Sequence, residues 1–474
     1  MPDLTIRTLN GGDTSLSQEA VATLTSSLSG DVLTAASAEY DEARSVWNGM
    51  IDRRPALIAR CRDAGDVQRA VRFSREHGLL AAVRSGGHHI AGNAVWDDVL
   101  TIDLSAMKAV VVDTESRTAH VGPGATLGDL DAATLPLGLA VPVGINSTTG
   151  VAGLTLGGGF GWLSRKYGMT VDRLRSVEIV TADGELVTAS EEQNPELFWG
   201  IRGGSGNFGI VTSFEFDLVA VGPEVFAGLV VYPFAEGADV LARYAEFTTA
   251  APRELAAWVV TRKAPPLPFL PQEWHGKEVV LIACVHCGDL ETAEREVAPL
   301  TRLGNPVGVH LGRVPFVEFQ QAFDPLLTPG ARNYWKSHDF TELTSDAIGT
   351  VLEYAAKLPS DQTEIFIAHL GGAVKDVPDD ATAYPHRDAE YVMNVHGRWE
   401  DPALDDACIG WAREFFDAAA PFATGGVYVN FLSRDEADRV RAAYGSNYDR
   451  LVAVKNRFDP ENFFRLNQNV PPTA

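Results

Sequence analysis

The residues best suited to chemistry are two adjacent histidines at the end of a glycine turn. Residues 83–92, VRSGGHHIAG, read as a short apolar strand that runs into Gly86 and Gly87 and then His88 and His89. Glycines without a Cβ let a backbone turn tightly and bring its N–H groups close to a ligand. The stretch therefore predicts a ligand-binding loop that presents an imidazole at its mouth.

Two further glycine-rich loops follow. Residues 143–168, VGINSTTGVAGLTLGGGFGWLSRKYG, are the most glycine-rich stretch, and residues 203–209 read GGSGNFG. Several such loops in one region are what cradling a long dinucleotide requires. The literal G-x-G-x-x-G at 204–209 does not predict a Rossmann site, because that mechanism needs a strand before the motif and a helix after it. Here a helix is predicted before it and a strand after it.

Other candidate motifs favour structural roles. Cys284 and Cys287 have redox-motif spacing at the end of an apolar strand. A redox or metal role stays open, but a buried cysteine is the commoner outcome. His338, His369 and His396 show no metal-ligand spacing, so no metal is predicted. Five aromatic residues could stack on a ring or sugar, although aromatic residues more often fill a core: Trp258, Trp274, Tyr334, Trp335 and Trp399.

Four segments carry a family resemblance. They are RSGGHHIAGNA (84–94), GVAGLTLGGGFGWLSRKYG (150–168), IRGGSGNFGIVT (201–212) and YGSNYDRLVAVKNRFDPENFFRLNQN (444–469). Together they resemble the berberine-bridge-enzyme-like branch of the vanillyl-alcohol-oxidase, or p-cresol methylhydroxylase (PCMH), flavoproteins. No single motif is decisive, but four in the expected order over most of the chain are highly specific.

The resemblance implies an α+β fold with FAD as the cofactor. A PCMH-type FAD-binding domain is expected in residues 1–221, with its core at about 52–221. A substrate-binding domain with an antiparallel sheet backed by helices is expected in 222–425, and residues 426–474 are expected to complete the FAD domain. In such proteins the loop like RSGGH wraps the pyrophosphate, and its histidine is bonded to the flavin 8-methyl carbon. That role falls on His88, with His89 as a weaker alternative.

The same resemblance implies the remaining cofactor contacts. The cofactor-binding positions are Arg84, Ser85, Gly86, Gly87, His88, His89, Asn146, Thr149, Gly150, Gly153, Gly157, Gly158, Gly161, Gly209, Val211, Asn467 and Asn469. Many relatives carry a second flavin link from a cysteine where this chain has Asn146, so a single histidyl link is expected. Thr149 is expected near the flavin face that oxygen approaches, and its modest side chain leaves that access open.

The catalytic base is implied by the C-terminal motif. The family pattern is Tyr-x-Asn-Tyr, and this chain reads Tyr428-Val-Asn430-Phe431, which makes Tyr428 the candidate base and Asn430 its companion. A tyrosine with a pKa near 10 needs a cation or hydrogen bond to act as a base at neutral pH. Lys336 is one candidate helper. Phe431 puts a paired-tyrosine mechanism in doubt and is compatible with a substrate that needs little base assistance, such as an amine.

Composition narrows the partners and the location. The 474 residues carry a formal net charge of -24, which argues against nucleic acid or an anionic membrane as partner. No secretory signal and no apolar run of about 20 residues is visible in the sequence. Four cysteines are no disulfide framework for a chain of this length, so a cytoplasmic location is predicted.

Sequence patterns also predict the elements that hold these residues. A β-α-β unit is expected from a strand at 55–61, a helix between Asp63 and Gly78 and a strand at 79–83. Hairpins are expected at 110–122 and around Asp183-Gly184. In the second domain, strands are expected at 226–231, 256–261, 279–285, 363–370 and 391–395, and helices at 238–249, 292–303, 345–358 and 405–419.

The predicted function is an FAD-dependent oxidoreductase. Its flavin on His88 would take a hydride from a small alcohol, amine or phenolic substrate, and oxygen would be reduced to hydrogen peroxide. A dehydrogenase of the same fold with another acceptor is one alternative. A non-catalytic relative that binds flavin or another ligand is the other.

Overall fold

The N-terminal part of the computed structural model, which describes residues 3–473, contains a mixed four-stranded sheet. Its elements are β1 (Leu4–Arg7), β2 (Asp13–Leu16), α1 (Gln18–Ser27), β3 (Asp31–Leu33), α2 (Tyr40–Arg44), β4 (Leu57–Arg60), α3 (Ala64–Glu76), β5 (Ala81–Arg84) and β6 (Leu100–Asp103). Strands β4 and β5 both run parallel to β6, which lies between them. The predicted β-α-β unit is confirmed, and the histidine loop begins where β5 ends.

A five-stranded antiparallel sheet follows. The elements of this part are β7 (Val110–Asp113), β8 (Thr118–Val121), α4 (Leu127–Thr134), β9 (Leu139–Ala140), α5 (Val151–Leu156), α6 (Ser164–Tyr167), β10 (Leu174–Val180), β11 (Leu186–Ser190), α7 (Pro195–Ile201), β12 (Ile210–Asp217) and β13 (Val219–Ala220). The strand order is β11-β10-β12-β8-β7. Both predicted hairpins are present. Helix α7 precedes residues 203–209 and strand β12 follows them. This is the reverse of the order of a Rossmann site, which has a strand before the glycine motif and a helix after it.

The second half contains a seven-stranded antiparallel sheet. Its elements are β14 (Glu224–Pro233), α8 (Gly237–Thr248), β15 (Leu255–Lys263), β16 (Glu278–His286), α9 (Leu290–Val297), β17 (Gly308–Pro315), α10 (Phe316–Gln320), β18 (Arg332–Phe340), α11 (Ser345–Ala355), β19 (Glu364–His369), β20 (Tyr391–Trp399) and α12 (Asp405–Ala419). The strand order is β17-β14-β16-β15-β19-β20-β18, and helices α8, α9, α11 and α12 pack against it. The predicted α+β architecture, with helices behind an antiparallel sheet, is confirmed.

Alternation along each strand separates the two faces of this sheet. On β15, Leu255, Ala257 and Val259 belong to the core shared with the helices, whereas Trp258 and Arg262 face the opposite side. Successive side chains of a strand point to opposite faces, so every second residue leaves the helix layer. The sheet therefore offers one face to its helices and the other to the N-terminal half.

The two edge strands, β17 and β18, were missed by the sequence prediction. Strand β17 reads GVHLGRVP and is largely exposed, with two glycines and no apolar alternation. Strand β18 reads RNYWKSHDF and is almost wholly buried despite its charged residues. Neither pattern matches the half-buried strand that sequence periodicity detects.

The C-terminal segment returns to the N-terminal half. Helices α13 (Val440–Tyr444) and α14 (Tyr448–Phe458) place Leu451 and Val454 in the same core as Val177 and Phe214 of the five-stranded sheet. Among residues 3–473, the helices are too short or too polar for any of them to cross a bilayer.

A short N-terminal segment is bonded to both halves. The Asn48 amide donates to the carbonyls of Ile90 and Asn333, both at 2.9 Å, and its oxygen accepts the N–H of Asn333 at 3.0 Å. The backbone N–H of the neighbouring Trp47 donates to the carbonyl of Gly87 at 3.0 Å. This segment thus joins the histidine loop to the edge strand β18.

Candidate functional site

A cavity of about 570 Å³ lies between the glycine loops and the seven-stranded sheet. Ligand pockets in proteins commonly have this size. One wall, called here the loop wall, consists of residues 85–89, 144–153, 205–211 and 464–468. The opposite wall, called the sheet wall, consists of side chains from β14, β15, β16, β18, β19 and β20.

Most of the predicted site residues line this cavity. They are Ser85, Gly86, Gly87, His88, His89, Asn146, Thr149, Gly150, Gly153, Gly209, Val211, Tyr428, Asn430 and Asn467. Five predicted residues do not line it: Arg84, Gly157, Gly158, Gly161 and Asn469. Arg84 instead braces the loop from behind, because its guanidinium donates to the carbonyls of Ala43 and Ser45. Gly157 and Gly158 lie against the side chains of Asn430 and Tyr428.

Glycine is required where the first two loops meet. A Cβ on Gly86 would lie 2.6 Å from the nitrogen of Gly150, and one on Gly150 would lie 2.7 Å from the nitrogen of Gly86. Both distances are shorter than real side chains tolerate, so only two glycines permit this contact. Gly87 has a φ of 65°, a left-handed conformation that glycine adopts without cost. These positions turn the backbone so that His88 enters the cavity.

His88 is held by stacking and one polar contact. Its ring lies 4.4 Å from that of Trp47, with 24° between the planes. Its Nε2 lies 3.3 Å from the hydroxyl of Thr148, which also lies 2.7 Å from the side-chain oxygen of Asn146. Burial lowers the pKa of His88 to about 3, so the imidazole is neutral at neutral pH. By contrast, Nδ1 of His89 is occupied by the N–H of Ala91 at 3.1 Å.

Tyr428 also lines the cavity, and it lies directly before a turn formed by Val429–Phe431. Its hydroxyl accepts two hydrogen bonds of 3.0 Å, from the N–H of Gly159 and from the amide of Asn430. Burial raises the pKa of Tyr428 to about 12, although both donors act to lower it. With both lone pairs engaged, the phenolic hydrogen is left to point elsewhere.

Lys336 is not the helper that the sequence suggested. It lies on β18 next to Trp335, but successive strand residues point to opposite faces, and only Trp335 lines the cavity. The ammonium group of Lys336 pairs with Glu436 at 3.1 Å. The two groups that bond the Tyr428 hydroxyl are neutral donors instead.

Sequence reasoning overlooked the polar part of the sheet wall. Arg262, Glu364 and Asn394 line the cavity, together with His396, which was considered only as a metal ligand. Of the five aromatic candidates, Trp258 and Trp335 line it, and Trp274, Tyr334 and Trp399 do not. The available signal was the series of polar residues at alternate positions of β20, at 394, 396 and 398, because such residues have to face a polar or open space.

Cysteine and metal chemistry find no support at this site. All four cysteines are buried, none lines the cavity, and burial raises the pKa of Cys284 to about 12. Within the part of the chain that the structure describes, no three His, Cys, Asp or Glu residues are grouped to hold a metal ion.

Comparison with known proteins identifies the family. A family model for an FAD binding domain matches residues 55–190, and a model described as berberine and berberine like matches residues 427–471. An FAD-linked oxidoreductase of Dictyostelium discoideum is 32% identical over 455 residues, which cover 94% of this chain and 95% of that protein. The chain belongs to the berberine-bridge-enzyme-like FAD-linked oxidoreductases. The predicted family and the prediction of an FAD-dependent oxidoreductase are therefore confirmed.

Oxidases occur among both the relatives and the solved structures that are similar to this berberine-bridge-enzyme-like chain. The (R)-6-hydroxynicotine oxidase of Paenarthrobacter nicotinovorans is 31% identical over 460 residues, covering 94% of this chain and 97% of its own length. The solved structure of 6-hydroxy-D-nicotine oxidase from Arthrobacter nicotinovorans has a TM-score of 0.85 at 29% identity, covering 94% of this chain and 99% of that one. A xylooligosaccharide oxidase of Thermothelomyces thermophilus is 30% identical over 465 residues, covering 92% of this chain and 91% of that protein.

The loop wall fits FAD, the cofactor of this family. A Cβ on Gly153 would meet no atom within 4 Å, so the backbone there borders open space in the cavity. The side-chain oxygen of Asn467 is buried and has no hydrogen-bond partner among residues 3–473, although its amide nitrogen bonds the carbonyls of Gly206 and Phe464. An open backbone wall and an unused acceptor are what a dinucleotide requires.

Proposed function

We propose that this chain is an oxidase whose FAD is covalently bound through His88. Its substrate is a small alcohol, amine or phenol, and oxygen is the electron acceptor. The single observation that carries the proposal is a neutral imidazole on the glycine-loop wall of a cavity that Tyr428 and Asn430 also line. The relatives named as oxidases support it.

The His88 ring is prepared to act as a nucleophile. The Thr148 hydroxyl donates to the Asn146 oxygen at 2.7 Å and therefore accepts from Nε2–H of His88. This assignment leaves a lone pair on Nδ1. Stacking on Trp47 fixes the plane of the ring. A pKa near 3 keeps that lone pair available throughout the physiological range.

Bound FAD would supply the redox chemistry by accepting a hydride from the substrate. The residues that would hold it are those of the loop wall, including Ser85, Gly150, Gly153, Gly209 and Asn467. The N–H of Gly159 and the amide of Asn430 stabilise the phenolate form of Tyr428, which is the form whose oxygen can take the proton that the substrate loses. Asn430 also donates to the carbonyl of Leu154, which fixes its amide.

The finer assignments belong to the same proposal. Asn146 and the distant cysteines support one covalent link rather than two. Thr149 lines the cavity without a large side chain, which supports oxygen access. The domain limits 1–221, 222–425 and 426–474 are supported by the core that the C-terminal segment shares with the five-stranded sheet. A cytoplasmic location stays a prediction.

The experiment that tests the proposal is intact mass on denatured protein together with its visible spectrum. A mass gain of one FAD, localised by digestion to the peptide that contains His88, is expected. An unmodified mass with the yellow colour lost to the supernatant refutes the covalent link. A colourless protein that does not take up FAD refutes the whole proposal.

Oxygen as acceptor needs a separate measurement. After anaerobic reduction, mixing with aerated buffer in a stopped-flow instrument is expected to restore the oxidised flavin spectrum rapidly. A reduced flavin that persists in air and is reoxidised by a quinone supports the dehydrogenase instead. Failure of a broad substrate panel to reduce the bound flavin supports the non-catalytic alternative.

A further inference from the structure

The sheet wall contains a buried charged cluster that the proposed function does not use. Nη1 of Arg262 donates to one oxygen of Glu364 at 2.6 Å. The other oxygen of Glu364 lies 3.0 Å from Nδ1 of His396. All three side chains line the cavity, and Arg262 and His396 are 9% and 3% exposed. Charged groups are rarely buried without a specific role or partner.

Positive charge exceeds negative charge in this cluster. Arg398 follows His396 at the next position on the same face of β20 and is 3% exposed. Its Nε and Nη1 have no hydrogen-bond partner among residues 3–473. Two guanidinium groups therefore lie close enough to act on the carboxylate of Glu364, and Arg262 is the one bonded to it. Burial raises the pKa of Glu364, but Arg262, His396 and Arg398 outweigh that effect and hold the pKa at about 2.

Arg262 has unused hydrogen-bonding capacity toward the cavity. Within the described chain its hydrogen bonds use Nε, which donates to the carbonyl of Lys263, and Nη1, which donates to Glu364. Nη2 is left to donate to a ligand. A guanidinium is a planar fork suited to carboxylate and other anionic oxygens.

Aromatic rings surround the space next to this cluster. The ring of Trp335 lies 5.0 Å from His396 and 5.4 Å from Phe431. Phe366 lies 5.4 Å from Trp258 and 6.5 Å from Phe431. These rings frame a site for a flat apolar body that carries its polar group toward Arg262.

We propose that the sheet wall binds an aromatic substrate that carries an anionic oxygen group, a carboxylate or phenolate, and that Arg262 is the residue that recognises it. This rests on the proposed function, because it takes the cavity as the substrate site of the flavoenzyme. It narrows the substrate class from alcohols, amines and phenols to compounds with an anionic group. Glu364 is a positioning residue that orients the guanidinium.

A cationic substrate is disfavoured by the same geometry. An ammonium group at this end of the cavity would face Arg262, with the charge of Arg398 behind the wall, and both oxygens of Glu364 are already engaged. The other carboxylate that lines the cavity belongs to Glu318, which is exposed on α10 and solvated. Its charge is therefore screened by water.

Calorimetric titration of the FAD-loaded protein under anaerobic conditions tests this inference by measuring binding. The probes are benzoate, 4-nitrophenolate, benzylammonium and benzyl alcohol, which share a benzene ring and differ in charge. Benzoate or 4-nitrophenolate is expected to bind at least about 10-fold tighter than benzyl alcohol, as one charge-assisted hydrogen bond implies. The tighter of the two anions identifies the group as carboxylate or phenolate. Tightest binding by benzylammonium, or equal binding of all four probes, overturns the inference.

Two substitutions with opposite expected effects guard against misfolding. Arg262→Gln is expected to weaken binding of the preferred anion by about 10- to 100-fold and to abolish the preference over benzyl alcohol. Glu364→Gln keeps a side-chain oxygen beside Arg262 but removes the negative charge that competes with an anionic ligand. This variant is expected to bind the preferred anion more tightly, which general damage to the fold does not do. Arg253→Gln, which breaks an exposed pair with Asp376, is the matched control and is expected to change nothing. An unchanged preference in Arg262→Gln overturns the inference.

The intact mass of the same samples keeps the two proposals separate. Loss of the anion preference with flavin still bonded to His88 refutes only the inference. A kept preference with no covalent flavin refutes only the covalent link of the proposed function.

Discussion

The two walls of the cavity are built from different parts of the chain. The loop wall presents backbone, and its shape depends on glycines such as Gly86 and Gly150 that admit no side chain. The sheet wall presents alternate side chains of β15, β19 and β20, including Trp258, Arg262 and Glu364. A backbone wall is specific for one ligand and intolerant of change. A side-chain wall can be altered one residue at a time without moving a strand, so ligand choice resides there.

The largest effect is expected in the loop wall, from substitution of His88, the residue proposed to form the covalent bond to FAD. His88→Ala is expected to abolish covalent FAD completely, because it removes the imidazole proposed to form the bond, while dissociable FAD is retained. Intact mass on denatured protein measures this. His89→Ala is the matched control and is expected to keep the covalent flavin, since its Nδ1 is bonded to Ala91. Yellow colour that stays with the His88→Ala protein after denaturation refutes the assignment of the covalent link to His88.

Tyr428 lines the cavity, and its substitution is expected to have the next largest effect. Tyr428→Phe removes the oxygen that Gly159 and Asn430 bond. Flavin reduction is expected to slow by about 10²- to 10⁴-fold, the usual contribution of a general acid or base. Anaerobic stopped-flow absorbance measures the rate, and the FAD content of the variant is the control. A rate equal to that of the parent removes Tyr428 from the mechanism.

The pH dependence sharpens the role of Tyr428. Because burial raises its pKa to about 12, only a small fraction is ionised at neutral pH. Below that pKa the ionised fraction rises about tenfold per pH unit, so reduction by a substrate that needs the base is expected to accelerate between about pH 7 and pH 10. Tyr428→Phe is expected to flatten the profile. A flat profile in the parent protein means that the substrate reacts without this base.

A pair of glycine substitutions separates folding from cofactor binding in the loop wall. Gly150→Ala places a methyl group against the backbone of Gly86 and is expected to lower the free energy of unfolding by about 1–3 kcal/mol. Gly153→Ala meets only open space, so the unfolding free energy of the apoprotein is expected to stay unchanged while the ratio of FAD to protein falls. Denaturant unfolding and absorbance measure the two quantities. Full FAD content in Gly153→Ala means that the cofactor lies elsewhere.

The smallest effect is expected in the sheet wall. Phe366→Leu exchanges one cavity-lining apolar side chain for another, and its cost to the unfolding free energy is expected to stay below about 1.5 kcal/mol. The FAD stoichiometry is expected to match that of the parent, with only the affinity for aromatic ligands reduced. Loss of FAD in this variant contradicts the division of roles in which the loop wall holds the cofactor and the sheet wall selects the substrate.

Sequence patterns predict the loop wall far better than the sheet wall. Within each loop the residues are contiguous and the glycines are distinctive, so the motifs and the family resemblance that they carry predict His88, Gly150 and Gly153 for one ligand site. Residues of the sheet wall come from strands far apart in the chain, as with Arg262 and Glu364, and only strand pairing brings them together.

Partners of the predicted residues were equally hidden from the sequence. Trp47 reaches His88 through a fold contact that no local pattern records. Lys336 was suggested without knowledge of strand β18, whose alternation turns its side chain away from the cavity. Arg84, Gly157 and Gly161 follow the motifs of the family, yet they support the loops from outside the cavity.

Three of the hydrogen bonds of Asn48 tie the two walls of the cavity together. Because one amide bonds Ile90 of the histidine loop and Asn333 of β18, a shift of either element strains the other. By linkage, any factor by which a substrate changes the affinity for dissociable flavin equals the factor by which flavin changes the affinity for that substrate. One buried side chain, Asn48, connects the wall proposed for the cofactor with the wall proposed for the substrate.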